Sequence, residues 1–344
     1  MINIKKILSV SMVIIFSVLF IAFARETAES AIKSINTCIN VIVPSMFAFM
    51  VISSYVLSSG IYKALFKPLY LTVGRLFKLD EKSFSIFLLS LVGGYPVGIK
   101  LLKEAIAQNK NYSAIADKTT IFCYCISPTF AITMIGLGIF NSAEIGIIVY
   151  ASNAVSCMIT AFVLSRIYNL RNDKTITQVK KSGIVESVNG SSSALFKICS
   201  MIVFFNAGIS SLNSLLNCAE ITLPTLLTAI FEISNILDFK PEIAQLPLIS
   251  AISSMGGICV ILQCYSIAEG VIPFKKFIIA RIPIAVISGL ITSIIIKFCR
   301  ISIPAFAGIG NYSFEFNSNK TVVIFLIIIC TILLQNNEKN FKKG

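Results

Sequence analysis

The chain has 344 residues, of which 56% are hydrophobic and only 13% are charged, and its mean hydropathy is +0.86. Several apolar runs approach the length of about 20 residues that an α-helix needs to cross a bilayer. These runs exclude a soluble protein with one buried core, and they lack the ten-residue alternation of a membrane β-barrel. We therefore predict an all-α polytopic membrane protein with about seven to nine membrane segments.

The formal net charge of +13 does not indicate nucleic-acid binding, because the basic residues lie between apolar runs and form no stripe of their own. The excess of Lys and Arg in cytoplasmic loops of membrane proteins explains them more simply. The ten cysteines lie mostly inside apolar segments and form no CxxC pair, so we interpret them as packing residues. Because the chain has no histidine, the usual zinc sites and the Ser-His-Asp triad are excluded.

The chain begins with a predicted N-terminal membrane anchor at 1–30, in which Lys5 and Lys6 precede a long apolar run. That run exceeds the usual core of a signal peptide, so we expect it to remain uncleaved. A second span is predicted at 38–57. The stretch 61–79 alternates basic and apolar residues, which is typical of a helix lying on the cytoplasmic surface with its basic side chains in water.

A glycine-broken membrane segment follows at 83–102, and two further spans are predicted at 120–140 and 145–168. The connection Asn141-Ser142-Ala143-Glu144 lacks Lys and Arg, so we expect it to face outward. The basic linker 169–193 is predicted to be cytoplasmic and to separate two related halves. The predicted organisation is a first repeat at 31–168, a second repeat at 194–300, and a C-terminal span with a basic tail at 301–344.

Similar segments open corresponding spans of the two halves. Ser45-Met46-Phe47-Ala48-Phe49 is similar to Ser200-Met201-Ile202-Val203-Phe204. With a cytoplasmic linker the repeats run in opposite directions, and inverted repeats are a known basis for alternating access in transporters. Strict inversion places Lys275 and Lys276 outside, against the charge bias, unless the second glycine-broken segment crosses the membrane fully.

The two glycine interruptions, Gly93-Gly94-Tyr95-Pro96 and Gly256-Gly257, predict a solute site. Broken helices are tolerated at membrane depth only where the freed backbone faces protein or a wet cavity. A half-helix that begins at the first interruption exposes N–H groups and partial positive charge, which favour an anion. Lys100 would reinforce that preference, and Gly98 would leave room for the solute. The alternative is that the glycines only let helices cross and that Lys100 reaches the interface.

Polar residues inside other apolar segments are further candidates. Ser127 precedes a proline that either frees a carbonyl for a ligand or only kinks the helix. Glu232 is predicted to bind a proton, a sodium ion or a substrate hydroxyl, unless its segment is interfacial and solvated. Gln263 either contacts the solute or ties two helices together. The full set of predicted substrate-binding residues is Gly93, Gly94, Tyr95, Pro96, Gly98, Lys100, Ser127, Glu232, Ser234, Asn235, Gly256, Gly257 and Gln263.

Four segments together resemble the YlbJ-type sporulation integral membrane proteins, which belong with the nucleoside-recognition, or Gate, domain group. The most specific is Gly94-Tyr95-Pro96-Val97-Gly98-Ile99-Lys100, and the resemblance covers nearly the whole chain in order. One departure is Ile126-Ser127-Pro128, where the family often has Ser-Asn-Pro. The other three segments are Pro44-Ser45-Met46-Phe47, Phe231-Glu232-Ile233-Ser234-Asn235 and Gly256-Gly257-Ile258-Cys259-Val260-Ile261-Leu262-Gln263.

The resemblance implies a permease that moves dipicolinic acid from the mother cell across the outer forespore membrane during sporulation. Our leading hypothesis is a non-enzymatic, multi-pass transporter of a small organic anion, without a cofactor. Coupling to protons or sodium and assembly into a homo-oligomer are left open. A nucleoside permease and a membrane scaffold for spore cortex assembly are the alternatives. An enzyme is disfavoured, since we find no nucleophile–base pair, metal cluster or phosphate loop.

Overall fold

The computed structural model describes residues 4–170 and 183–299, and the predicted C-terminal span and tail at 301–344 lie outside this range. Within it, every regular element is helical, which confirms the predicted fold class. Five helical stretches are long and apolar enough to cross a membrane, and two shorter apolar helices accompany them. The five are Ala24–Ser59, Ala143–Ile167, Ile184–Asn217, Ile243–Ala268 and Lys275–Cys299; the shorter ones are Val10–Ala22 and Phe130–Phe140.

The helix at Lys275–Cys299, named α14 below, illustrates why these sequences form a membrane bundle. Its exposed stripe is large and apolar and includes Ile279, Ile282 and Leu290. Its buried face carries small or polar residues such as Ser288 and Gly289. Helices in lipid pack through small residues because the bilayer already solvates large apolar side chains. The apolar stripe therefore faces lipid.

The first part of the chain contains α1 (Ile4–Ala22), α2 (Ala24–Thr37) and α3 (Val43–Ser59), with a π-helical turn at Cys38–Ile42 between the last two. Pro44 near the start of α3 lacks a backbone donor, so it interrupts the regular hydrogen-bond ladder there. The helix 24–59 runs through the predicted boundary at residue 30. The short helix α4 (Tyr62–Thr72) then occupies most of the predicted interfacial stretch.

The predicted glycine-broken segment at 83–102 is a hairpin and not a crossing helix. Its arms are α5 (Glu81–Gly93) and α6 (Tyr95–Gln108), and Gly94 between them has φ +89°, a conformation that favours glycine. Lys82 Nζ donates to Gln108 Oε1 at 2.5 Å, so the two open ends meet. An arm of 13 residues reaches about 20 Å, which is too short to cross the hydrocarbon core. The chain therefore turns back inside the membrane.

The next span is unwound in its middle. Helix α7 (Ser113–Phe122) is followed by a stretch without regular structure. Helical structure resumes at Pro128 and continues through Phe130–Leu137 to α8 (Gly138–Phe140). Proline suits a helix start because its missing N–H would be unpaired there anyway. After the predicted turn at 141–144, α9 (Ala143–Ile167) packs back antiparallel. The sequence predicted a continuous span at 120–140 with a proline inside it. Instead, the helix is interrupted throughout 123–127.

The second half begins with α10 (Ile184–Asn217), ten residues before the predicted start at 194. Its early start is stabilised by Glu186, whose side chain accepts a hydrogen bond from Gly183 N at 3.1 Å. The short helix α11 (Thr225–Phe231) follows, then Glu232 in an extended conformation and a 3₁₀ turn at Ile233–Asp238.

The chain folds back at Glu232. The contact that shows this joins Asn235 Nδ2 to Thr228 O at 3.4 Å. Seven residues along a straight helix would span about 10 Å. The next two helices, α12 (Leu246–Met255) and α13 (Gly257–Ala268), form a span that is broken at Gly256, as predicted, and α14 follows it. A turn-back, a broken span and a long helix thus occur in the same order in both halves.

The two Gly-Gly pairs, both predicted as breaks in membrane segments, have different places in the structure. Gly93-Gly94 forms the tip of a hairpin, whereas Gly256-Gly257 forms the break in a crossing helix. By position in the chain, the first pair corresponds to the turn-back at Glu232, and the second corresponds to the unwound stretch 123–127. Glycine permits both a reversal of the chain and a break in a helix, so the shared Gly-Gly dipeptide does not distinguish the two.

Contacts along α14 show which ends of the helices lie together. Lys276 Nζ lies 2.8 Å from Asp117 Oδ2 near the start of α7, and Gly289 packs against the Pro247 carbonyl at the start of α12. The first hairpin therefore opens at one end of the bundle, and the turn-back at Glu232 enters from the other. The end with the hairpin base, called here the basic end, carries Lys63, Lys67, Arg75, Lys78, Lys110, Lys118, Lys275 and Lys276.

The charge distribution indicates that the basic end faces the cytoplasm. The opposite end carries Arg25 and Lys240 beside Glu26, Glu29, Glu220, Asp238 and Glu242. Since α12 and α13 cross the bundle fully, Lys275 lies at the basic end. The conflict between inverted repeats and the charge bias therefore disappears.

Candidate functional site

A cavity of about 720 Å³ extends from the opposite end of the bundle towards its middle. Its walls include Glu26 at the start of α2 and Asn213 and Asn217 near the end of α10. Its deep part is formed by the tip of the first hairpin and by the turn-back at Glu232. Pockets of roughly 300–1,000 Å³ accommodate metabolite-sized ligands, so one small solute fits here.

Eight of the 13 predicted binding residues line this one cavity. They come from four separate elements: the hairpin tip, the unwound stretch before Pro128, the turn-back at Glu232, and α13. Their binding roles remain predictions, but the structure brings together side chains that are up to 169 residues apart in the chain. The eight are Gly94, Tyr95, Pro96, Ser127, Glu232, Ser234, Asn235 and Gln263.

The remaining predicted glycines lie outside the cavity and permit close packing. A Cβ on Gly98 would collide with the carbonyl oxygen of Cys123, and one on Gly256 would collide with the hydroxyl of Tyr124. A Cβ on Gly93 would meet Phe49 Cε1 at 2.6 Å, and one on Gly257 would meet Ile230 O at 3.1 Å. The space predicted for a solute at Gly98 is therefore occupied by protein backbone.

Lys100 also lies outside the cavity. It is buried, and its Nζ lies 2.6 Å from Glu104 Oε1. Both carboxylate oxygens of Glu104 also accept from Ser54 Oγ at 2.8 Å, which ties the hairpin to α3. The lysine charge is thus neutralised within the bundle, and it does not face the solute space.

Two helix N-termini point at the deep part of the cavity. One belongs to α6, which begins at Tyr95, and the other to the helix that resumes at Pro128. Ser127 Oγ accepts from Phe130 N at 3.2 Å and so caps the second. The N-terminal end of a helix carries partial positive charge and so attracts anions. At these two ends Val97 N already donates to Gly94 O, and Pro96 and Pro128 have no N–H, so the partial charge of the helix ends provides the attraction.

The freed carbonyls at the two breaks accept hydrogen bonds from a tyrosine–arginine cluster, which consists of Tyr95, Tyr124 and Arg281. The Tyr95 hydroxyl donates to Ser253 O, and the Tyr124 hydroxyl donates to Met255 O at 3.1 Å, both at the end of α12. Arg281 donates to Ile121 O at the end of α7 and to Tyr124 O. Backbone groups that would be unpaired in lipid are thereby satisfied.

Sequence reasoning missed Arg281 as part of the site. A charged residue inside an apolar run is a recognised signal of a buried functional or structural group. Nothing near Arg281 in the sequence identifies its partners. The carbonyls to which it donates lie about 160 residues earlier in the chain.

Glu232 is the most deeply buried acidic group in the cavity wall, with 1% of its surface exposed. Its Oε1 accepts from Ser234 N at 3.2 Å, whereas Oε2 has no hydrogen-bond partner in the part of the chain that the structure describes. The neighbouring Asn206 on α10 donates to Ser34 Oγ on α2 at 3.1 Å. Asn206 and Ser34 also line the cavity and were missed, because isolated polar residues in long helices are common.

Acidic groups outnumber basic groups in the cavity wall. The four carboxylates belong to Glu26, Glu29, Glu232 and Asp238, and the one ammonium group belongs to Lys33. Glu29 is neutralised by Arg25, whose Nε lies 3.0 Å from Glu29 Oε1. An anionic solute would therefore approach two favourable helix ends through a wall in which carboxyl groups outnumber ammonium groups.

No family model and no solved structure matches the chain. A curated protein, the sporulation integral membrane protein YlbJ of Bacillus subtilis (strain 168), is 22% identical over 179 residues. The matched region covers 51% of this chain and 44% of that protein, so it spans less than half of the relative. Together with the long apolar helices, this similarity supports a sporulation-related integral membrane protein.

Proposed function

We propose that this protein is a secondary transporter that carries a small organic anion across a membrane of a sporulating cell. The supporting observation is the cavity, in which a hairpin tip, a turn-back and an unwound helix meet. Irregular backbone at membrane depth is tolerated where it lines a cavity, and transporters place their solute sites at such breaks. The hairpin and the turn-back enter from opposite ends, which supports a Gate-like pair of inverted repeats and alternating access.

Dipicolinic acid is the candidate solute, and the outer forespore membrane is the proposed location. Both follow from the sporulation resemblance. A planar ring with two carboxylates suits two helix N-termini that face one cavity, since the partial positive charge of such ends attracts carboxylates without a dedicated cation. The rings of Tyr95 and Phe130 line the same space and offer apolar surface to the solute ring.

A nucleoside permease is the second candidate, because neutral hydrogen-bonding groups are abundant in the cavity wall. Amides such as Asn206, Asn235 and Gln263 offer both donors and acceptors, which suit a base and a ribose. The same groups add no charge to the site. A neutral solute would therefore not be repelled by the carboxylates of the cavity wall.

The test is uptake of labelled dipicolinate into proteoliposomes, with uridine as the comparator. The blocking variant is Gly94→Leu, because a Cβ at that positive-φ position lies 3.0 Å from Ser127 Cβ. The matched control is Gly183→Leu, since a Cβ on Gly183 meets nothing within 4 Å. Size-exclusion chromatography of both variants checks that each one folds.

We expect dipicolinate uptake by the wild type and the control and its loss in Gly94→Leu. Uptake of uridine alone would favour the nucleoside permease. If neither solute moved under any ion gradient, transport would be wrong and a scaffold for cortex assembly would be favoured.

A further inference from the structure

We propose that Glu232 is a proton-binding site that couples the solute to proton movement, so that the organic anion and a proton cross together. This inference rests on the proposed transport function. In the proposed anion site, a buried carboxylate would repel the anionic solute.

The surroundings of Glu232 leave no countercharge for an ionised carboxylate. Its Oε2 has no hydrogen-bond partner, and none of the ion pairs among the described residues includes it. A buried charge without a partner is strongly destabilised. The carboxyl group therefore holds a proton in this conformation.

No cation contacts Glu232: the one lysine of the cavity wall, Lys33, forms no ion pair with it among the described residues. On α13 the thiol of Cys259 lies beside the carboxyl, and Cys38 in the π-helical turn is also near it. Asp238, in the 3₁₀ turn after Glu232, is acidic, and the described helix after Pro128 carries no charge. The charged groups of the α2 wall are Glu26, Glu29 and Lys33, and the α10 wall offers amides and hydroxyls.

These neighbours also favour a proton over an alkali metal ion. Hard cations prefer several oxygen ligands, whereas thiols are soft ligands. Gln263 on α13 directs its amide nitrogen towards Cys259 Sγ at 3.2 Å. The α13 side chain beside the carboxyl group thus presents a sulfur, and the Gln263 nitrogen is already directed at that sulfur.

Coupling follows from the repulsion between like charges. When Glu232 is ionised, its negative charge opposes an anion at the two helix N-termini, and protonation removes that opposition. Binding of the proton therefore favours binding of the anion, and the anion favours the proton to the same extent. The proton enters from water at the open end of the cavity and leaves to water on the other side, and no bond in the solute changes.

The experiment uses proteoliposomes that contain a trapped fluorescent pH indicator, with the membrane voltage clamped by potassium and valinomycin. Dipicolinate is added outside between about pH 6 and pH 8, where its carboxylates remain ionised. The proteins are the wild type, Glu232→Gln and the control Glu242→Gln. Glu242 lies outside the cavity, and its Oε2 accepts from Gln245 Nε2 at 2.9 Å.

We expect wild-type and control liposomes to acidify inside as dipicolinate enters, and uptake to rise severalfold when the outside is made more acidic. In Glu232→Gln, any dipicolinate that still enters carries no proton with it. Wild-type uptake without acidification, or uptake driven only by a sodium gradient, would overturn proton coupling and leave transport intact. Absence of dipicolinate exchange by the wild type would overturn the transport proposal and this inference with it. If Glu232→Gln does not fold, the internal acidification measured with the wild type alone decides whether a proton enters with dipicolinate.

Discussion

Arg281 carries a charge in the interior of the bundle, where only 1% of its surface is exposed. Its guanidinium carbon lies 4.6 Å from the ring centroid of Tyr124 and 4.7 Å from that of Phe277. The fork of guanidinium N–H groups reaches two carbonyls at once, which a lysine ammonium does less well. At the scale of single residues, Arg281 therefore holds the unwound stretch after α7 in shape.

Replacement of Arg281 by Met should destabilise the protein, because the carbonyl of Ile121 loses its donor and that of Tyr124 keeps only the weak thiol donor Cys157 Sγ at 3.3 Å. Leaving a buried acceptor unpaired costs about 1–3 kcal/mol, so we expect a loss of about 1–3 kcal/mol. Denaturant unfolding in detergent measures it. The control is Arg166→Met, because Arg166 lies exposed at the end of α9 and should cost less than about 1 kcal/mol. Equal losses in both variants would contradict the role given to Arg281.

The individual site residues were partly predictable from sequence. Glu232 and Gln263 stand out as polar residues in apolar segments, and both line the cavity. Lys100 stood out in the same way but pairs with Glu104 one helical turn later. Sequence identifies a residue that needs a partner, but the partner depends on how the helix is rotated in the bundle.

At the scale of elements, the first hairpin shows what sequence leaves undetermined. The glycine interruption at Gly93-Gly94 was visible, but a break and a reversal require the same residue type. The contact that distinguishes them joins Lys82 to Gln108, 26 residues later. A local pattern does not contain such a contact, so the direction of the chain after Gly94 could not be predicted.

Substitution of Gly98 by Ala should push α6 away from the unwound stretch, since the new Cβ collides with the backbone oxygen of Cys123. Overpacking of this kind costs about 1–3 kcal/mol. Thermal unfolding in detergent should show a lower midpoint for Gly98→Ala. The matched variant Gly183→Ala has open space around its Cβ and should match the wild type. An unchanged midpoint for Gly98→Ala would mean that the hairpin tolerates the shift.

At the scale of the whole molecule, the cavity reaches the opposite end, while ion pairs join helices near the basic end. Glu269, after α13, accepts from Lys103 on α6 at 2.7 Å and from Lys197 on α10 at 2.5 Å. These bonds lower the pKa of Glu269 to about 2. The stabilisation is present above about pH 4, the usual carboxyl value, and is lost as the pH falls through about 2.

We expect Glu269→Gln to loosen the basic end at neutral pH, where this bridge is fully ionised. Glu269 is 53% exposed, so solvent screening keeps its contribution to overall stability small. Hydrogen exchange is the suitable measurement because it detects local opening. Amides of α13 should exchange faster in Glu269→Gln, whereas those of α12 should not change. Glu242→Gln is the control, and equal exchange in all three proteins would show that the bridge does not restrain α13.

The tyrosine–arginine cluster has a consequence for the independence of the two halves. Tyr95 and Tyr124, from the first half, donate to carbonyls of α12, and Arg281, from the second half, donates to carbonyls at the end of α7 and in the unwound stretch after it. Each half therefore supplies the donors that the other half's broken backbone requires. A half made alone would expose bare carbonyls to lipid, so the two halves of this protein are obligate partners even where the chain between them is cut.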